Sequence, residues 1–209
     1  MPVHPSVRNL IFDLGGVILD LSVDHTIESF SKLSGVPKQK VMDIFHSSPG
    51  FNDYESGKMT DAGFRDYLRD IYKTDSSDQQ IDACWNAMLG GIAMEKLHLL
   101  RRLKKSYSVY LLSNTNEIHL SYINSMILPK LTGERSLDSY FHKAYYSHRM
   151  LKRKPDVEIF EQVLRENQLK ASDTLFFDDN SLNVEGAKLA GLQTVYVTSP
   201  DLILDYFHA

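Results

Sequence analysis

Five short apolar runs constrain the fold of this chain most: Asn9 to Phe12, Ser108 to Leu112, Lys143 to Tyr146, Thr174 to Phe177 and Thr194 to Val197. Each is rich in β-branched, aromatic or leucine residues and lacks the polar alternation of a strand with one wet face, so each reads as a strand buried on both faces. From residue 95 onward the runs are separated by helical patterns long enough for crossover connections, which makes the sheet mostly parallel. The expectation is an α/β fold with a Rossmann-like parallel sheet as its core.

The connecting segments carry helix signals. Residues from Pro155 to about Asn167 predict a helix with proline in its first turn and an apolar stripe of Val157, Phe160, Val163 and Leu164. Ser181 to Ala190 predicts another, stopped by Gly191. Residues 21–90 differ: they show helical periodicity over Asp24 to Leu33, Lys38 to Phe45, Thr60 to Ile71 and Asp78 to Met88, and no convincing strand. Thr60 and Asp75 to Ser77 suit N-caps, and Ser47-Ser48-Pro49-Gly50 reads as a turn. The block is expected to be a helical insertion after the first strand, dividing the chain into a core of residues 1–20 and 91–209 and an all-helical unit of residues 21–90. Its aromatics Phe51, Phe64, Tyr67 and Trp85 are expected to pack that unit's interior.

Composition narrows the function classes. A chain of 209 residues is long enough for one core with an insertion. The formal charge of -4 lacks the basic excess of a nucleic-acid binder. Cys84 is the only cysteine, so no internal disulfide forms, and no Cys/His spacing suits zinc. No apolar run spans a bilayer, and Met1 to Pro5 carries no leader signature, so the expectation is a cytoplasmic protein.

Ligands of open α/β sheets bind beyond the carboxyl ends of the strands, and the polar residues there are informative. Asp13, Gly15 and Gly16 follow the first run; Ser113, Asn114, Thr115 and Asn116 follow the second. Asp178, Asp179 and Asn180 follow the fourth, with Asn183 one helical turn on, and Lys154 precedes Pro155 after the third. Carboxylates gathered at one sheet edge repel by roughly 4 kcal/mol per pair at about 4 Å and an effective dielectric near 20, so they call for a cation. Oxygen ligands without cysteine or histidine point to Mg²⁺. A lysine opposite the metal suits a phosphate, with Ser113 and Asn114 to hydrogen-bond its other oxygens. Such a site favours in-line attack of Asp13 on phosphorus, through an aspartyl-phosphate that water then hydrolyses.

These residues resemble the haloacid dehalogenase (HAD) superfamily over nearly the whole chain. Phe12-Asp13-Leu14-Gly15-Gly16-Val17 is similar to its first motif, Leu111-Leu112-Ser113-Asn114-Thr115-Asn116 to the second and Arg153-Lys154-Pro155-Asp156 to the third. Phe176-Phe177-Asp178-Asp179-Asn180 through Ala187 resembles the fourth. The spellings are most similar to the bacterial α-D-glucose-1-phosphate phosphatase-like group, whose small helical cap matches residues 21–90. The resemblance implies Asp13 as nucleophile and metal ligand, the Gly15 carbonyl and Asp179 as further Mg²⁺ ligands, and Asp178 and Asn183 acting behind them or through water. It implies Ser113, Asn114 and Lys154 as the phosphate binders and a small phosphorylated metabolite, sugar phosphates first, as substrate.

The chain departs from the wider family at Gly15, where a second aspartate protonates the leaving oxygen. A positioned general acid is worth about 10²–10⁴ in rate. Its loss predicts a preference for good leaving groups, a proton supplied by Asp20, a cap residue or water, or a domain that binds phosphate without turnover. A metal-independent haloacid dehalogenase also uses an aspartyl ester, but the twin acids Asp178 and Asp179 argue against it. A phosphomutase is disfavoured because it needs the missing proton shuttle. Ser113 lacks a glycine-flanked elbow and a motif histidine, so it is not read as a nucleophile. Lys152 and Arg153 are expected to be solvated, and Glu55 and Lys58, near Gly57, receive no role.

Overall fold

The computed structural model describes residues 6–208; the leader-free reading of Met1 to Pro5 lies outside them. The strands are β1 (Asn9–Phe12), β2 (Leu19–Leu21), β3 (Leu89–Ile92), β4 (Ser108–Ser113), β5 (Lys143–Tyr146), β6 (Thr174–Asp178) and β7 (Gln193–Tyr196). The first five helices are α1 (Val23–Ser34), α2 (Lys38–Ser47), α3 (Gly50–Glu55), α4 (Asp61–Tyr72) and α5 (Asp78–Asn86). They are followed by α6 (Met94–Leu103), α7 (Glu117–Tyr122), α8 (Leu128–Thr132), α9 (Ser147–Met150), α10 (Val157–Glu166), α11 (Ser181–Leu189) and α12 (Leu202–His208).

All five expected strands pair in parallel, in the order β5-β4-β1-β6-β7. Strand alternation sends Leu10 and Phe12 into one layer, with Leu111 and Phe177 under α6 and α12. It sends Ile11 into the other, with Tyr110, Leu112 and Phe176 under α10 and α11. Both faces are covered, which explains the continuous apolar runs. Because β1 is central, the ends of its neighbours β4 and β6 flank the end of β1, where Asp13 emerges.

Helices α1–α5 bury an interior of their own around Phe30, Phe64, Leu68, Tyr72 and Trp85. Trp85 lies 5.0 Å from the Phe64 ring and 5.6 Å from Phe51, as the aromatic reading expected. Thr60 caps α4, and Ser77 and Gln80 form a capping box on α5.

Three expectations are corrected. Residues 21–90 are bounded by an antiparallel ribbon of β2 and β3, which straddles both boundaries drawn from the sequence. Its strands are three and four residues long and one contains Gly90 and Gly91, so neither gives a strand signal. The expected turn falls at Ser48 and Pro49, but it leads into a helix that was not anticipated, α3. Pro155 does not enter α10; it sits in the turn before the N-cap Asp156, because the main chain of Lys154 is held elsewhere.

Candidate active site

Asp13 is the first residue beyond β1, and its N–H donates to the Phe177 carbonyl at 2.9 Å. The ladder thus continues for one residue and fixes where the buried carboxylate points. Asp178, the last residue of β6, is fully buried and saturated. Its Oδ1 accepts from the Asn180 N–H (2.8 Å) and Asn183 Nδ2 (3.0 Å), and its Oδ2 from Asn183 Nδ2 (3.1 Å) and Lys154 Nζ (2.6 Å). Lys154 Nζ also meets Asp13 Oδ1 at 2.7 Å, so one buried ammonium bridges the two carboxylates.

Asp179 completes the cluster from the β6–α11 turn, exposed on one side. The second glycine of the first motif is what admits it. Gly16 has φ +72°, and a Cβ there would stand 2.0 Å from Asp179 Oδ2. The carboxylates of Asp13, Asp178 and Asp179 offer oxygens within 4.8 Å of one another, a repulsion of roughly 3.5 kcal/mol per pair at an effective dielectric near 20. One ammonium against three carboxylates leaves the cluster undercompensated. Accordingly, burial pushes the Asp13 carboxyl up to about 7, with Asp178 adding to the rise and Lys154 opposing it. Burial also raises Asp179, again with Asp178 adding. Burial works against the Lys154 ammonium, yet Asp13 and Asp178 outweigh it and hold its pKa above the ordinary lysine value.

An all-oxygen donor set with excess negative charge fits Mg²⁺. Asp13 and Asp179 have oxygens to offer it. Asp178 is committed to hydrogen bonds with Lys154, Asn180 and Asn183, which hold those neighbours in place.

On the other side, Ser113 ends β4 and its hydroxyl makes only a long contact, 3.4 Å, with the Asn114 carbonyl. The Asn114 side chain is engaged: its Nδ2 donates to the Lys154 carbonyl and its Oδ1 accepts the Lys154 N–H, both at 2.9 Å. Asn114 therefore aims Lys154 as well as facing the site. Every residue proposed from the motifs lies at this one end of the sheet.

A cavity of about 80 Å³ runs from Gly15, Ser113 and Asn114 toward the cap, walled by Leu19, Leu21, Met88, Leu89 and Ile123. Glu55 and His119 also line it. His119 stacks on Trp85 at 4.7 Å and its Nδ1 pairs with Asn86 Oδ1 at 2.9 Å; burial pushes its pKa down to about 3, which keeps it neutral. Glu55, unassigned from the sequence, forms an ion pair with Arg153 at 3.1 Å. Arg153 is thus not the solvated residue expected but a half-buried partner of the cap. The two are separated by 98 positions, and no local signal joins them.

A profile of the haloacid dehalogenase-like hydrolases matches residues 111–197. D-ribitol-5-phosphate phosphatase of Bacteroides thetaiotaomicron is 33% identical over 189 residues, 90% of either chain. A HAD family enzyme of the same bacterium, solved in complex with magnesium and inorganic phosphate, superposes with a TM-score of 0.83 at 37% identity, over 91% of this chain and 93% of that one. A HAD-like family hydrolase from Porphyromonas gingivalis gives a TM-score of 0.83 at 32% identity, over 91% of both chains. The chain belongs to the haloacid dehalogenase-like hydrolases.

Proposed function

We propose that this protein is a Mg²⁺-dependent phosphomonoester hydrolase of a small polyhydroxylated metabolite, a sugar or sugar-alcohol phosphate, working in the cytoplasm without nucleic acid or membrane. The observation that carries the reading is Asp13 held between Lys154 and an acidic cluster of Asp178 and Asp179. The similar ribitol-5-phosphate phosphatase and the magnesium–phosphate complex of a relative support it.

The residues divide the work. Lys154, Ser113 and the free N–H of Asn114 hold the phosphoryl oxygens, and Lys154 offsets the charge of nucleophile and phosphate together. Asp13 attacks phosphorus in line, giving an aspartyl-phosphate and the free alcohol; water then restores the carboxylate. Asp13, Asp179 and the Gly15 carbonyl would hold Mg²⁺, which would supply charge neutralisation at the phosphoryl group. A small cavity whose apolar wall also carries the polar side chains of Glu55, Ser113, Asn114, Thr115 and His119 suits a short hydroxylated carbon chain rather than a nucleotide. The test is phosphate release from a panel of sugar, polyol and aryl phosphates with Mg²⁺ or EDTA. Metal-dependent release from small phosphates, abolished in Asp13→Asn, is expected. No release from any substrate, or full activity in Asp13→Asn, overturns the reading.

A further inference from the structure

Position 15 is not a vacant place for an acid. A Cβ added to Gly15 would stand 2.2 Å from Leu21 Cδ1, so the ribbon side chain fills the space that a longer residue would enter. Asp20 is no substitute: its side chain is 58% exposed, meets Lys96 at 3.7 Å, and does not line the cavity that Leu19 and Leu21 wall. Among the described residues on that wall, only Glu55 and His119 titrate. The His119 ring is neutral, with Nδ1 given to Asn86 and Nε2 wholly buried.

Glu55 is differently placed. It ends α3, and its carbonyl accepts the Ser147 hydroxyl at 2.6 Å; the same Oγ receives the Thr115 N–H at 3.0 Å. The cap residue is thereby docked on the loop that carries Ser113 and Asn114. Its Oε2 accepts from Arg153, while Oε1 has no hydrogen bond to the described protein and the side chain keeps 25% accessibility. We propose that Glu55 is the catalytic acid–base that serves the leaving oxygen in place of the absent side chain at position 15. The inference rests on the phosphomonoesterase reading above. Burial raises its carboxyl pKa, with Arg153 and Lys154 opposing, the direction a general acid requires. As Asp13 forms its bond to phosphorus and the ester P–O bond breaks, Glu55 gives its proton to the departing alkoxide oxygen. In the second step the Glu55 carboxylate takes a proton from water, whose oxygen bonds to phosphorus as the Asp13–P bond breaks.

The test is the dependence of kcat on leaving-group pKa, measured with a graded set of aryl and alkyl monophosphates for the parent, Glu55→Gln and Glu55→Asp. A donor makes the parent's dependence shallow. Glu55→Gln should then lower alkyl phosphate turnover about 10²-fold or more and aryl turnover far less, steepening the slope, with partial recovery in Glu55→Asp. An equal loss on all substrates, a change in KM alone, or an unaltered slope overturns the proposal. Circular dichroism and inorganic phosphate binding with Mg²⁺ show whether each variant is folded. Failure of the phosphatase reading itself is seen separately, as a parent protein that releases phosphate from no member of the set.

Discussion

Replacing Asp13 should stabilise the metal-free protein, because burial raises its carboxyl pKa above the ordinary value. Asp13 titrates at about 7 in the folded chain against its ordinary 3.8, so the folded state binds the extra proton between those values. Stability of the metal-free parent therefore falls as pH rises from about 4 to about 7, and above that the whole penalty stands. At ~1.36 kcal/mol per pH unit, the rise from 3.8 to about 7 corresponds to about 4 kcal/mol. Asp13→Asn removes the ionisation yet leaves an amide oxygen to accept from Lys154, whose bond to Asp178 is untouched. The assay is urea unfolding in EDTA at several pH values between 4 and 8, repeated with Mg²⁺. At pH 8 in EDTA the variant should exceed the parent by up to about 4 kcal/mol, a midpoint shift of about 2 M at an m-value near 2 kcal/mol/M. The two should converge at pH 4, and Mg²⁺ should narrow the gap at pH 8 by stabilising the parent. A variant no more stable than the parent at pH 8, or one with the same pH slope, refutes the claim that this carboxylate is undercompensated.

Other substitutions probe the same architecture. Lys154→Met leaves Asp13 and Asp178 without their buried ammonium and should cost about 3–5 kcal/mol by urea unfolding, with phosphate release lost. Gly16→Ala places a Cβ against Asp179 at a left-handed backbone position. It should weaken Mg²⁺ affinity in a calorimetric titration and cost about 1–3 kcal/mol in stability. Trp85→Ala empties the aromatic interior of the cap and should cost about 3–5 kcal/mol in the same unfolding assay.

The parallel sheet was legible because burial on both faces writes unbroken apolar runs, and the candidate site because its residues follow those runs directly. The ends of β1, β4 and β6 thus announced Asp13, Ser113 and Asp178 with their neighbours. What escaped lacks local periodicity. The β2–β3 ribbon is too short and contains two glycines. Helix α3 has only six residues and opens with glycine. The Glu55–Arg153 pair and the grip of Asn114 on Lys154 are long-range contacts, 98 and 40 positions apart. They depend on how the cap lands and on the Lys154 turn, and neither is written in neighbouring residues.

Gly15 is best understood together with Leu21. With no side chain at 15, the ribbon can lay an apolar residue over the nucleophile loop and close the cavity on that side. The same exchange moves proton transfer from the core loop to the cap, where Glu55 is held through Ser147 and Arg153. A donor on the core loop is in place whenever phosphate is bound. A donor on α3 is in place only while the cap is docked on the second motif. Attack by Asp13 on an alkyl ester is then productive only when the cap has accepted the alcohol, so selection of the alcohol and its protonation fall to one element. Leu21→Ala should separate these effects. It opens the wall without touching a titratable group, so kcat/KM should fall through KM, while the dependence of kcat on leaving-group pKa stays that of the parent. A steepened slope in Leu21→Ala would mean that the ribbon, and not Glu55 alone, governs the proton, and the division of labour argued for the cap would fail.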